Sequence, residues 1–220
     1  MSTLTLLRHG QAAFGEENYD RLSTLGESQA RATGDFFRER QWHFDRVLSG
    51  PRHRHRDTTA LALGANHPVE VVDLLDEFAE GSQILQTAER LSGKPVFSGP
   101  DTSRRQRLKA YLETIDRWAA GEVAIDGAPA AGIFLAQLGE WLTALRADAS
   151  SGRRYLAVTS AGVIAALVCR VLNLPAREIA ALMGIMDNAS LTTIVFSGSR
   201  LSLQSFNVSA HLSRSRLSAI

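Results

Sequence analysis

The pattern of apolar and polar positions predicts strands and helices that follow one another along the chain. Short apolar runs with the length of buried strands lie at 3–7, 46–48, 69–72 and 155–159. Helical stretches are predicted between and after them, at about 28–41, 53–63, 133–146 and 162–172. Two further runs, 192–196 and 201–206, flank Ser197-Gly198-Ser199-Arg200 and predict a closing hairpin. This order predicts an α/β fold with an open, mostly parallel sheet and helices on both faces.

The stretch between Gly81 and Gly132 has a different pattern. It contains Gly93-Lys94-Pro95 and Ser98-Gly99-Pro100, with helical segments near 84–91 and 103–119. We interpret it as a helical lid inserted at 81–132 into a single domain that spans residues 1–220.

Composition and charge narrow the class of protein. The 220 residues are 45% hydrophobic and 21% charged, as in folded globular domains. A net charge of +1 gives no electrostatic case for nucleic acid or membrane partners. The chain shows neither an apolar stretch that could span a bilayer nor a secretory leader, so we expect a cytoplasmic protein. The one cysteine, Cys169, excludes a disulfide framework and is expected to be a buried core thiol.

Residues that could take part in catalysis or in binding lie directly after the predicted strands. Arg8, His9 and Gly10 come after the first strand, an Arg/His cluster at 52–56 after the second, Asp76-Glu77 after the third and Ser160 after the fourth. The carboxyl ends of such strands are where open α/β sheets bind ligands. A neutral histidine can accept a phosphoryl group, guanidinium groups neutralise its oxygens, and a carboxylic acid can protonate the leaving group.

The run Leu7-Arg8-His9-Gly10-Gln11 resembles the signature of the histidine phosphatase superfamily, the phosphoglycerate-mutase-like proteins. Further stretches resemble that family in the same order: 22–30, 49–54 followed by Thr58, 75–77, 188–190 and 206–212. The resemblance implies a phosphomonoester hydrolase in which His9 becomes phosphohistidine, Arg8 and Arg54 clamp the phosphate, and Glu77 is the proton donor. It implies a small phosphorylated substrate or free phosphate as partner, and neither a metal nor another cofactor.

Gly10, Gln11 and Ser160 complete the expected substrate-binding residues. Gly10 lets the backbone approach the phosphate closely. Ser160 is a departure, because the family usually has a second histidine after the fourth strand, where this chain has Thr159-Ser160-Ala161-Gly162. Removing one preorganised donor from such a site costs about 10²–10³ in rate. We therefore expect either reduced turnover or another group in the space. His211 is a candidate for that group, although a role as a capping residue of the closing hairpin is favoured for it.

Several alternatives accompany these assignments. Arg52 and Arg56 compete with Arg54 but are expected to face solvent, and Asp76 and Glu80 compete with Glu77. His53 and His55 form a poor metal pair, because residues at i and i+2 do not share a helix face. The alternative functions are a non-catalytic phosphate-ester-binding protein and a mutase; a hydrolase is favoured over a mutase because no ordered lid is recognisable in 81–132.

Overall fold

The computed structural model of the protein describes residues 1–13, 20–94, 103–148, 152–198 and 200–219. Part of the predicted lid, 95–102, and Ser199 of the hairpin turn lie outside the described residues. The strands are β1 (Ser2–Arg8), β2 (Arg46–Ser49), β3 (Glu70–Val71), β4 (Arg154–Thr159), β5 (Leu191–Ser197) and β6 (Arg200–Val208). The helices are α1 (Thr24–Glu39), α2 (His53–Leu63), α3 (Gly81–Ser92), α4 (Arg104–Ala119), α5 (Ala131–Asp148), α6 (Ala161–Leu172) and α7 (Glu178–Gly184).

The strands form one sheet in the order β3-β2-β4-β1-β5-β6. β3, β2, β4 and β1 are mutually parallel, whereas β5 pairs antiparallel with β1 and with β6. The prediction of an open, mostly parallel sheet is confirmed. In this order β4 lies between β1 and β2, so the carboxyl ends of these three strands meet at one edge.

Both faces of the sheet are covered, because successive strand residues point to opposite sides. On one side Leu4, Leu6 and Ala157 belong to a core that also contains buried residues of α3, α4, α5, α6 and α7. On the other side Leu7 and Val158 pack with α1. Helices on both faces are therefore confirmed as well.

Three elements differ from the predictions: α7 was not predicted, and α1 and β3 have other bounds than expected. α1 begins at Thr24, four residues earlier than expected, because Ser23 caps it by accepting a hydrogen bond from the Gly26 amide at 3.1 Å. β3 is only two residues long, with both exposed, since it lies at the edge of the sheet.

The described parts of the segment 81–132 pack into the same core as the sheet. Ile84 of α3, and Ile115 and Trp118 of α4, are buried in the cluster that contains Leu4 and Leu6. The Trp118 ring stacks on Phe78, with 4.1 Å between ring centroids. A covering role over bound substrate stays a prediction for this segment.

Candidate active site

The carboxyl ends of β1, β4 and β2 bring three chain segments together. The His9 amide donates to the Thr159 carbonyl at 2.9 Å, and the Gly50 amide donates to the Val158 carbonyl at 2.9 Å. The residues that follow β1 and β2 therefore lie on either side of Ser160, which follows β4.

His9 is buried, with 8% of its surface exposed. Its Nδ1 lies 2.7 Å from the Gly10 carbonyl oxygen. A carbonyl only accepts, so we assign the proton of the neutral ring to Nδ1, which leaves the lone pair on Nε2. Burial, followed by the charge of Arg54, holds the pKa of His9 well below its usual value. The ring is therefore neutral at pH 7.

Arg8 and Arg54 are both buried and both lie near His9, since the charge of each lowers the pKa of that ring. An Arg8 Nη1 hydrogen donates to the Met186 carbonyl. Arg54 Nη1 forms an ion pair with Asp20 Oδ1 at 3.0 Å. Two buried guanidinium groups thus lie beside a neutral imidazole, and guanidinium groups are suited to bind anions.

Thr58 connects helix α2 to the loop after β1. Its hydroxyl donates to the Arg54 carbonyl at 2.7 Å and accepts from the Gly10 amide at 3.0 Å. Because one hydroxyl binds both segments, the positions of Arg54 and His9 are fixed relative to each other.

Arg52 and Arg56 have surroundings that differ from those of Arg54. Arg56 is exposed, as expected. Arg52 was expected to face solvent, but this prediction is wrong: only 16% of its side chain is exposed, and it forms ion pairs with Asp76 and Glu80. These two carboxylates flank Glu77 in sequence, so Arg52 holds the segment that carries Glu77.

Glu77 is partly buried, against the start of α6. Its Oε2 accepts from the Gly162 amide at 3.2 Å, and its Oε1 accepts from the Phe78 amide at 3.2 Å. Burial raises the pKa of Glu77, although these amides and the charges of Arg54 and Arg8 oppose the rise. A Cβ at Gly162 would lie 2.1 Å from Glu77 Oε1, so glycine is needed there to accommodate the carboxyl group.

Ser160 has a partner that the sequence interpretation missed. His55 of α2 is fully buried, and its Nε2 lies 2.7 Å from Ser160 Oγ. The ring centroids of His55 and His9 are 5.5 Å apart. An imidazole thus lies beside the position where the family's second histidine was expected, but it comes from α2.

His211 does not occupy that space. Its Nε2 lies 3.0 Å from the Thr33 hydroxyl of α1, and its ring packs against Phe36 with 5.2 Å between centroids. The suggestion that His211 replaces the missing histidine is therefore wrong, whereas its role as a capping residue of the closing hairpin stays a prediction. A sequence signal for His55 existed, since it follows Arg54 directly, but only the position of α2 beside β4 gives it meaning.

Gly10 and Gln11 contact the first turn of α1. A Cβ at Gly10 would lie 2.4 Å from the Gly26 carbonyl oxygen, so the close approach that requires this glycine is to α1. Gln11 Oε1 accepts from the Ser23 hydroxyl at 2.9 Å. The loop after β1 is therefore held against α1 on one side and against α2 on the other.

The described residues offer neither a cluster of metal ligands nor a reactive thiol. Within the described ranges of the chain, no three His, Cys, Asp or Glu side chains form a cluster that could hold a metal ion. Burial raises the pKa of the Cys169 thiol to about 11, which makes it a poor nucleophile. Among the helices that the structure describes, none has the length and apolarity needed to span a membrane.

The sequence model of the histidine phosphatase superfamily (branch 1) matches residues 4–209. The chain belongs to the histidine phosphatase superfamily. No curated protein sequence matches it significantly. Solved structures of several proteins of this fold cover nearly all of the chain, so the phosphoglycerate-mutase-like fold implied by the sequence is confirmed.

Three of these structures illustrate the likeness. A phosphoserine phosphatase from Entamoeba histolytica, in complex with phosphoserine, is 19% identical in sequence to this chain. The superposition covers 96% of this chain and 100% of the phosphatase, with a TM-score of 0.65. The α-ribazole phosphatase of Shigella flexneri is 20% identical, with 94% and 96% covered and a TM-score of 0.63. A mycobacterial glucosyl-3-phosphoglycerate phosphatase with bound VO3 is 25% identical, with 94% and 99% covered and a TM-score of 0.63.

Proposed function

We propose that this protein hydrolyses small phosphate monoesters through a phosphohistidine formed on His9. The observation that carries the proposal is the state of the His9 ring: Nδ1 bonds to the Gly10 carbonyl, and the lone pair on Nε2 lies near two buried arginines. Membership of the histidine phosphatase superfamily supports it. The named phosphatases among the structural neighbours, which act on phosphoserine and on glucosyl-3-phosphoglycerate, also support a phosphorylated small molecule as substrate.

The reaction has two steps. In the first, His9 Nε2 attacks the phosphorus atom, the bond to the ester oxygen breaks, and Glu77 gives that oxygen a proton. In the second, Glu77 takes a proton from water, the resulting hydroxide attacks phosphorus, and the bond to Nε2 breaks. Arg8 and Arg54 neutralise the phosphoryl oxygens in both steps. The residues need no metal ion for this chemistry.

Rapid-quench trapping tests the proposal. A phosphate monoester labelled in its phosphoryl group should leave acid-labile, alkali-stable label on the wild-type protein. The His9→Ala variant should carry none, while His53→Gln, an exposed histidine of α2, should label normally. Label on His9→Ala protein would show that another residue is the nucleophile.

The products distinguish the alternative functions. A hydrolase releases inorganic phosphate in proportion to the alcohol formed, whereas a mutase returns the phosphoryl group to a second hydroxyl. A phosphate-ester-binding protein would bind a panel of monoesters without forming either product. We expect inorganic phosphate, and expect prolonged chelation of divalent metals to leave its release unchanged.

A further inference from the structure

His55 and Ser160 form a buried pair beside the proposed nucleophile. Ser160 is 1% exposed and His55 is fully buried, yet the hydrogen bond between them, at 2.7 Å, joins residues 105 positions apart. The backbone of Ser160 follows Thr159, whose carbonyl accepts the His9 amide. The pair is therefore built into the wall of the phosphate site.

Gly50 makes room for the His55 ring. A Cβ at position 50 would lie 2.2 Å from His55 Nδ1 and 2.6 Å from the Leu75 carbonyl oxygen, so any other residue would push the ring from its place. Among the described residues, Nδ1 has no hydrogen bond of good geometry. The hydrogen bond between Nε2 and Ser160 Oγ orients the imidazole, together with a backbone interaction of the ring with Gly50.

The Ser160 hydroxyl is not used to cap α6. Ser160 is the N-cap residue, but its side chain accepts no hydrogen bond from the helix. The Gly162 amide of the first turn donates instead to Glu77. A serine hydroxyl donates one hydrogen bond and can accept two, so Ser160 can accept from His55 and still donate elsewhere.

We propose that His55 and Ser160 act as one unit, in which His55 Nε2 donates to Ser160 Oγ and directs the serine hydroxyl at the phosphoryl group bound at His9. Ser160 is then a direct phosphate donor and His55 a positioning residue. The site thereby has its second imidazole on α2 instead of after β4. This inference rests on the proposed function for the place of the phosphoryl group.

Binding of inorganic phosphate tests the pair without relying on turnover. Calorimetry on the full chain should show that Ser160→Ala weakens phosphate binding about ten- to a hundredfold, as expected for a lost hydrogen bond to a charged group. His55→Leu, which keeps the volume but loses the nitrogen, should weaken it similarly. His55→Gln, whose amide can still donate near the Nε2 position, should retain most of the affinity.

The double variant decides between a coupled pair and two separate roles. If the residues act as one unit, Ser160→Ala with His55→Leu binds phosphate no more weakly than either single variant. Additive losses would overturn the proposal. Equal phosphate affinities of the His55→Leu and His55→Gln variants would also overturn the proposal. That result would mean that the side chain at position 55 only fills space and that its hydrogen-bond donor is not needed. His53→Gln serves as the matched control, and unfolding curves confirm that each variant is folded.

Turnover then separates this inference from the proposed function. A wild type that binds phosphate as described but hydrolyses no monoester would overturn the hydrolase and leave the pair intact. A wild type that binds no phosphate would overturn the pair. Acid-stable label on Ser160 in the quench experiment would also overturn it, because Ser160 would then be the nucleophile and His55 its base.

Discussion

Arg54 and Arg52 lie two residues apart near the start of α2 but have different partners. Arg54 is in the site and Arg52 pairs with Asp76 and Glu80. We predict that Arg54→Lys weakens inhibition by inorganic phosphate about ten- to a hundredfold, because lysine keeps the charge but loses the fork that binds two oxygens. Inhibition constants check this. Arg56→Lys is the control, and a comparable effect there or at Arg52→Lys would contradict the assignment.

The opposite pKa shifts of His9 and Glu77 predict the pH profile. A lowered pKa keeps His9 neutral down to lower pH, so the acidic limb of kcat/KM should lie below about 6.5. A raised pKa keeps Glu77 protonated to higher pH. Activity should therefore fall as the pH rises through the pKa of Glu77, which lies above the usual value of about 4.3. Glu77→Gln should remove this alkaline limb and lower the rate about 10²–10⁴-fold. An unchanged limb in that variant would identify a different acid.

Among the secondary-structure elements, α1 depends on a single cap that also touches the site. The Ser23 hydroxyl accepts from the Gly26 amide and donates to Gln11. We predict that Ser23→Ala lowers the free energy of unfolding by about 1 kcal/mol, measured by urea denaturation. Ser28→Ala, within the same helix but away from its cap, should change it by less than about 0.5 kcal/mol. A smaller effect at Ser23 than at Ser28 would refute the capping role.

The helices and strands were predictable from sequence where they are long or where residues typical of turns and caps mark their ends. α2 begins and ends where the pattern placed it, and β1, β4 and the hairpin were predicted within two residues. α7 was missed because its seven residues are too few to show a helical period. The start of α1 was placed too late because Gly26 in its first turn resembles a loop residue.

The site was predictable only to the extent that it follows strands. Arg8, His9 and Ser160 follow directly from strand ends, and the order of the motifs located Arg54 and Glu77. His55 was not predictable, because its partner lies 105 residues away. Helical spacing correctly predicted that His55 and His53 lie on different faces of α2. It did not predict which strand α2 packs against.

At the scale of the whole molecule, Trp118 joins the segment 81–132 to the sheet and to the site. Its ring stacks on Phe78, the neighbour of Glu77, and its Nε1 donates to the Pro129 carbonyl at 3.0 Å. We predict that Trp118→Ala lowers the free energy of unfolding by about 3–5 kcal/mol, measured by urea denaturation. Ile133→Ala, on a residue that is 56% exposed, should cost less than about 0.5 kcal/mol. Similar costs for the two would mean that 81–132 packs independently of the core.

The ion pair between Arg54 and Asp20 affects the anion binding that we propose for this site. Asp20 offers one oxygen to Arg54 and the other to the His53 amide, 2.9 Å away at the start of α2. An anion bound at Arg54 therefore shares the guanidinium group with a carboxylate of the same chain. A doubly charged phosphate gains more from Arg8 and Arg54 together than a singly charged carboxylate does. In the proposed phosphate site, the carboxylate of Asp20 thus favours doubly charged ligands over singly charged ones.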